Sequence, residues 1–391
     1  MSDDTPPRTG PLAGLRILEF AGIGPGPFAA MLLSDMGADV VRIDRVGAGP
    51  VHPMDFPLRG RRSIAVDLKS AEGVAAVLRL VERAHGLIEG FRPGVMERLG
   101  LGPDVCLARA PHLVYGRMTG WGQDGPLAQA AGHDLNYIAL TGALWTTGEA
   151  DRPPAFATNL LGDYGGGAMP LAFGMVAGLL QAHRTGHGDV VDAAICDGTN
   201  MLMTHLQSRR AMGMWRDERG ANHLDGGTPW YAVYACADGR WISVAAIESR
   251  FWDCLVAGLG CDPGEFGDRS DRVTWDATRV KLRDIFASRP RDHWDDRLAG
   301  TDACYAPVLT PAEARAHPHM AARDAFFDGD APCPRPAPRF ASHAPSPPEP
   351  PGRSGDDTRG VLAEAGFSAA EIDALIRADA VAAVAKKDPR R

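Results

Sequence analysis

A strand–turn–helix–strand run at the start of the chain limits its fold more than any other feature. Leu15-Arg16-Ile17-Leu18-Glu19-Phe20 reads as a strand and Gly22-Ile23-Gly24-Pro25-Gly26-Pro27 as a turn. Phe28 to Met36 reads as a helix, with Gly37 placed to end it. Val40-Val41-Arg42-Ile43-Asp44 is the next strand. Two strands joined through a helix run parallel, because the crossover brings the chain back to its starting side. The pattern repeats: a strand at Ile64 to Leu68, then a helix capped by Ser70 with Val74, Val77, Leu78 and Val81 on one face. Strands at Leu87 to Phe91 and Leu113 to Thr119 follow. Such alternation implies a doubly wound, Rossmann-like α/β domain.

With 391 residues the chain is too long for one compact core, so a second domain is expected. Pro170 to Ala182 is apolar on nearly all sides and reads as a buried helix; Asp189 to Ile195 reads as a strand and Gly198 to Met212 as a helix. The character then changes. Tyr231 to Cys236 and Trp241 to Ile247, joined at Asp238-Gly239, form a hairpin. Helices near Phe251–Leu259, Arg279–Ala287 and Asp292–Ala299 and a strand at Cys304 to Leu309 complete a smaller α+β domain. From Asp330 to Gly352 the chain is dense in proline and reads as an extended tether. Asp357 to Ala383 looks helical, with Ser368 as a cap, and the tether can carry it back to the first domain. The expected division is 1–205, 206–330 and 331–391.

Formal net charge is −8 with no long Lys/Arg block, which argues against nucleic-acid or membrane-surface partners. Hydrophobic residues make up 45%, an ordinary share, and no apolar stretch reads as long enough to span a bilayer. Met1 to Arg8 is polar and reads as a disordered lead rather than a signal peptide, and the Lys386–Arg391 end carries no peroxisomal address. Seven scattered cysteines without a Cys-x-x-Cys read as reduced thiols in a cytoplasmic setting. His183 and His187 have helical metal-site spacing, but Gly186 and Gly188 end the helix there, and no metal site is expected.

Several residues carry possible chemistry. The Gly22-x-Gly24-x-Gly26 turn departs from the Gly-x-Gly-x-x-Gly dinucleotide fingerprint, so NAD binding is not expected even though Asp44 ends the following strand. A tight loop and a ligand-facing turn, with Gly24 giving close backbone approach, both fit it. Arg42, Arg45, Arg59, Arg61, Arg62 and Arg92 all sit near expected C-terminal strand ends. As a group they suit a phosphate-bearing ligand, and singly each suits a solvated surface. In Gly132-His133-Asp134-Leu135-Asn136-Tyr137 an imidazole stands among polar neighbours. In Asn159-Leu160-Leu161-Gly162-Asp163-Tyr164-Gly165-Gly166-Gly167 a carboxylate precedes three glycines. Asp163 either caps the following helix or works with a ligand that the glycines, Gly165 among them, admit to the backbone. Glu248 closes a hairpin strand and by itself reads as an exposed carboxylate at a helix start.

These runs resemble the class III CoA-transferase superfamily, and its racemase branch in particular. The likeness extends through Pro11 to Glu19, Asp39 to Asp44, Phe91-Arg92-Pro93-Gly94-Val95, Arg117 to Gln123, Asp189 to Ala194 and the flank of Glu248, and so covers nearly the whole chain. The resemblance implies a large Rossmann-like domain, a small α/β domain, and an interlocked homodimer whose sites lie between one chain's large and the other's small domain. It implies inversion of the α-carbon of 2-methylacyl-CoA thioesters through an enolate, with His133 and Asp163 as the two bases. Glu248 would pair with the imidazole, and Asp134 and Tyr137 would support the site. No separate cofactor is implied, since CoA is part of the substrate; Arg45, Arg62 and Arg92 would face its nucleotide. The alternative is a class III CoA-transferase with Asp163 as covalent nucleophile. The transferase branch carries a glycine-rich loop in the small domain, where this chain has Ala245-Ala246-Ile247-Glu248.

Overall fold

The computed structural model describes residues 8–328, 332–343 and 347–384. Residues 1–7 of the N-terminal lead, residues 329–331 and 344–346 of the proline-rich stretch, and residues 385–391, with the Lys386–Arg391 end among them, lie outside them. Contacts divide the chain into two units: one runs to Thr141, resumes over Ala157–Leu202 and again from Phe326, and the other takes Gly142–Phe156 and Met203–Ala325.

The first unit opens with β1 (Arg16–Phe20), α1 (Pro25–Asp35), β2 (Asp39–Arg45), β3 (Arg62–Val66), α2 (Ala71–Val81), β4 (Gly86–Glu89), α3 (Val95–Arg98), α4 (Pro103–Arg109) and β5 (Val114–Thr119). α5 (Asp134–Leu140), α6 (Met169–Thr185), β6 (Val190–Ala194) and α7 (Ile195–Leu202) follow. A π-helical segment, Leu160–Ala168, leads into α6. The parallel strands stand in the order β3-β2-β1-β4-β5-β6, the doubly wound arrangement. Ile17, Leu18, Leu87 and Ile88 are all buried, so β1 and β4 are apolar toward both faces, as strands covered on two sides must be. One core packs Val77, Leu80 and Val81 of α2 under the sheet; the other packs Ala29 and Leu33 of α1 with Leu171, Met175 and Leu179 of α6.

Local signals explain the helix ends. Ser70 Oγ accepts the Gly73 N–H at 2.9 Å and caps α2. Gly24 precedes α1 at φ +73°, and Gly37 follows it at φ +98°, where a Cβ would fall 2.6 Å from the Thr9 carbonyl.

The three glycines after Asp163 serve packing. They lie inside a continuous helix from Leu160 to Thr185, not at a helix start. A Cβ on Gly198 of α7 would fall 1.8 Å from the Gly166 carbonyl oxygen, and one on Gly166 would fall 2.4 Å from Thr199 Oγ1. The two helices therefore meet backbone to backbone. That continuity revises the expectation about apolar length: the 26-residue helix is long and apolar enough to cross a membrane by length and composition, and 44% of its most apolar window is buried within the chain. Asp163 and the interspersed glycines hid it from a reading of apolar runs.

In the second unit, α8 (Thr204–Ala211), β7 (Tyr231–Ala235), β8 (Trp241–Ala245), α9 (Ser249–Leu259), α10 (Trp275–Ala287), α11 (Arg291–Leu298), β9 (Tyr305–Val308), α12 (Pro311–Ala316) and α13 (Pro318–Ala322) succeed one another. The strands form an antiparallel sheet, β7-β8-β9, over a core of Trp230, Trp252, Trp275, Phe286 and Trp294. The helix expected over 198–212 breaks at Met203, where the chain passes from one unit to the other. Buried Arg219 secures Gly142–Phe156 to this unit, donating to the carbonyls of Glu149 (2.8 Å) and Arg152 (2.5 Å).

The remaining chain, in the first unit, forms β10 (Phe326–Phe327), β11 (Cys333–Pro334), α14 (Thr358–Glu364), α15 (Ala369–Arg377) and β12 (Val381–Ala382). Ser368 caps α15, and β12 pairs antiparallel with β3. The block expected to be helical throughout thus ends as an edge strand.

Gly198→Ala is expected to destabilise the protein by about 1–3 kcal/mol through overpacking against Gly166. Gly360→Ala, exposed in α14 with nothing within 4 Å of a Cβ, is expected to be neutral or stabilising by up to about 1 kcal/mol. Urea unfolding of both variants measures the contrast.

Candidate active site

Parallel α/β sheets bind ligands beyond the carboxyl ends of their strands, where the strand order reverses. In the first unit a cleft of about 680 Å³ opens there, past the ends of β1, β4 and β5. Its walls include the Ala21–Pro27 turn, Gly90–Pro93, Gly120, Trp121, Tyr137 and Asn159, and both His133 and Asp163 line it.

His133 is the residue before α5, in extended backbone (φ −133°, ψ 173°). Its N–H donates to Asn136 Oδ1 at 3.1 Å, which fixes the entry of the chain into the helix. The next residue, Asp134, is buried, and its Oδ1 accepts the Asp163 peptide N–H at 2.6 Å. Asp134 Oδ2 is buried without a hydrogen-bond partner. Tyr137, one turn on, donates its hydroxyl proton to the Gly132 carbonyl and packs edge-on against Trp121, with ring centroids 4.7 Å apart. The ring occupies space that only glycines leave: a Cβ on Gly120 would fall 2.0 Å from it, and one on Gly132 2.7 Å.

Asp163 is half-buried in the π-helical segment, where Tyr164 N–H reaches the Asn159 carbonyl at 3.3 Å. Burial raises the pKa of its carboxyl above the usual range. An Asn159 Nδ2 hydrogen bond at 3.3 Å works against this, the Asp134 charge adds to it, and the His133 imidazole lowers it. A Cβ on Gly24 would stand 3.2 Å from Asp163 Oδ2, so the α1 turn approaches the carboxylate closely because Gly24 has no side chain. Phe28 stacks on Tyr164 with centroids 4.1 Å apart and holds the two helices together.

The arginines divide. Arg92 is exposed and lines the cleft, where its charge opposes the rise that burial imposes on the Tyr137 phenol. Arg45 is exposed at the carboxyl end of β2 and is not part of the cleft wall. Arg62 begins β3 and so stands at the amino ends of the strands, away from the cleft, paired with Asp39 (2.6 Å) and Glu364 (2.7 Å). Arg42, Arg59 and Arg61 are buried against Asp44, Asp35 and Glu19. Gly165 faces Leu160 and Leu202 rather than the cleft. Glu248 belongs to the second unit, exposed at the start of α9. Asn159, Gly120, Gly132 and Trp121 were not singled out as site residues, although Asn159 opens the run that contains Asp163. Among the described residues no group of three or more His, Cys, Asp or Glu side chains is placed to hold a metal ion.

The family model for CoA-transferase family III matches residues 12–358. The mouse α-methylacyl-CoA racemase is 42% identical over 367 residues, covering 92% of this chain and 95% of that one. The human α-methylacyl-CoA racemase is 39% identical with the same coverage. The crystal structure of a CaiB/BaiF family protein from Brucella suis superposes with a TM-score of 0.78 at 25% identity, covering 92% of this chain and all (100%) of that one.

Removing the Asp134 charge takes a like charge away from Asp163. Asp134→Asn keeps an acceptor for the Asp163 N–H and is expected to let Asp163 titrate at lower pH than in the unmodified protein. A carboxyl-detected difference infrared titration, with Asp163→Asn identifying the band, measures the shift.

Proposed function

The chain belongs to CoA-transferase family III, and we propose that it is an acyl-CoA isomerase of the α-methylacyl-CoA racemase type, inverting the α-carbon of 2-methylacyl-CoA thioesters. The observation that carries this reading is an imidazole and a carboxyl of raised pKa lining one cleft.

Inversion next to a thioester needs one proton taken from one face and another delivered to the opposite face. Each base must serve as acid in the reverse direction, which suits groups whose pKa values lie near the working pH. His133 works on one face and Asp163 on the other. Burial and the Asp134 charge raise the pKa of the Asp163 carboxyl above that of an ordinary aspartate. The Asn159 amide donates to the carboxyl, and Gly24 leaves room for it.

The enolate oxygen needs donors. The Asp163 N–H is committed to Asp134, and the glycines that follow lie within a helix, so that run does not supply them.

CoA enters as part of the substrate, and no separate cofactor takes part. Arg92 and Arg45 are the arginines left to meet its phosphates, because Arg62 is already neutralised by two carboxylates. Met212 and Met214, exposed in the second unit, suit a variable acyl chain.

In deuterated water the protein is expected to exchange the α-proton of 2-methylacyl-CoA while inverting it. His133→Asn and Asp163→Asn are each expected to lose inversion by about 10²-fold or more. Inversion by Asp163→Ala at the unmodified rate would overturn the assignment. Trapping of an Asp163 acyl adduct by hydroxylamine would point to CoA transfer instead.

A homodimer is part of this proposal. Met169 (54% exposed), Phe173 (79%), Val176 (42%) and Leu180 (59%) share a helical stripe on α6. A second copy of the chain would cover it and supply its own Glu248 to orient the imidazole. Sedimentation is expected to give twice the 41.6 kDa chain mass, and Phe173→Asp to shift the protein to monomer with loss of inversion.

A further inference from the structure

Arg269, in the second unit, sets its guanidinium between two indole rings, 4.3 Å from the Trp230 centroid and 5.1 Å from that of Trp252. Its Nη2 donates to the carbonyls of Ala246 at 2.9 Å and Ile247 at 2.6 Å, the two peptides directly before Glu248. Its own carbonyl accepts the Trp275 indole N–H at 3.0 Å, and Trp275 packs edge-on against Trp230. The backbone is held on both sides of this contact. The Ile247 N–H closes a tight turn on the Ala245 carbonyl, and the Ala245 N–H donates to the Cys304 carbonyl. Beyond the turn, the Glu248 carbonyl accepts the Phe251 and Trp252 N–H groups at the start of α9. Glu248 thus leaves its side chain exposed on a backbone fixed at each end.

We propose that Arg269 is a positioning residue for the isomerisation: by gripping the Ala246 and Ile247 carbonyls it fixes the direction of the Glu248 carboxylate. The proposal rests on the reading that Glu248 orients the imidazole, and it adds what gives that carboxylate one geometry. A guanidinium suits the task because it is planar, stacks on aromatic faces and presents several donors at fixed angles; an ammonium does not. Arg269 Nε is buried without a partner, so the cation is held at some cost to stability. A cation kept there despite that cost fits a functional role better than a packing one. A strand-to-helix turn gripped in this way is also the reverse of a glycine-rich mobile loop, and it ties the sequence Ala245-Ala246-Ile247-Glu248 to one conformation.

The test uses the full-length chain with Arg269→Lys and Arg269→Met, each alone and combined with Glu248→Gln. Inversion of 2-methylacyl-CoA is measured beside amide hydrogen exchange of residues 245–249. Arg269→Lys is expected to lower kcat roughly tenfold or more, the scale of a small misplacement of a catalytic group, with KM within about twofold. Exchange over 245–249 is expected to rise, and the kcat loss to vanish in the Glu248→Gln background. Unmodified kcat in Arg269→Lys, unchanged exchange, or an equal loss in the Glu248→Gln background would each overturn the proposal. If Glu248→Gln alone keeps full activity, the reading of Glu248 fails. If Glu248→Gln is impaired while Arg269→Lys is not, only the role of Arg269 fails.

Discussion

One hydrogen bond joins the element that begins at the imidazole to the element that carries the carboxyl: Asp134 Oδ1 accepts the Asp163 peptide N–H at 2.6 Å. A bond to an ionised acceptor is stronger than a neutral one, and the Asp134 side chain that accepts here is buried. His133 directly precedes Asp134, so the same bond registers α5 against the π-helical segment and sets the two candidate bases in a common frame. The Asp134 charge that makes the bond strong also raises the pKa of Asp163. One side chain therefore fixes the spacing of the two elements and adds to the rise that burial imposes on the Asp163 carboxyl. Its second oxygen stays buried and unpartnered, which is the cost of putting a carboxylate there.

The parallel sheet was legible because its signal is local: alternating strands and helices, a serine cap, glycines at helix ends. The cleft followed from the strand order, since β1 sends the chain to β2 on one side while β4 stands on the other. The glycine run after Asp163 could not be read this way. Glycine lowers helix propensity, and Gly165-Gly166-Gly167 suited a helix start whose backbone a ligand could approach as well as one that Asp163 merely caps. Their reason is Gly198, distant in sequence, whose helix comes so close that a side chain on either partner would collide. A contact between two glycines leaves no apolar pattern for either to betray. The same holds for Gly120 and Gly132, which make room for the Tyr137 ring from two separate segments.

The arginines show a different limit. Arg59, Arg61 and Arg62 follow β2 in sequence and were placed near its carboxyl end. Arg62 opens β3, and in a parallel sheet the chain must return to the amino ends before a new strand begins. There Arg62 meets Asp39 and Glu364, the latter brought by α14 from near the end of the chain. Arg61 turns inward to Glu19 and to the Pro27 carbonyl. Buried cations are stable only beside such partners, and the partners come from distant segments. Residue type marked these arginines as anion binders; the anions they bind belong to the protein.

The turn before α1 shows how a helix end can lie beside a carboxyl without cancelling the rise in its pKa. A helix N-terminus ordinarily favours the charged form of a nearby carboxylate through its free N–H groups. Here Pro25 and Pro27 remove two of those donors from the first turn, and Phe28 N–H closes on the Gly24 carbonyl. The donor to the Asp163 carboxylate is the Asn159 amide from its own helix. That neutral donor and the His133 imidazole oppose burial and a neighbouring negative charge, and the net shift of the carboxyl pKa is upward. Gly24 allows the close approach, and the prolines keep it from becoming an anion site. A more ordinary first turn, with its N–H groups intact, would favour the charged carboxylate and so work against the rise in the Asp163 pKa.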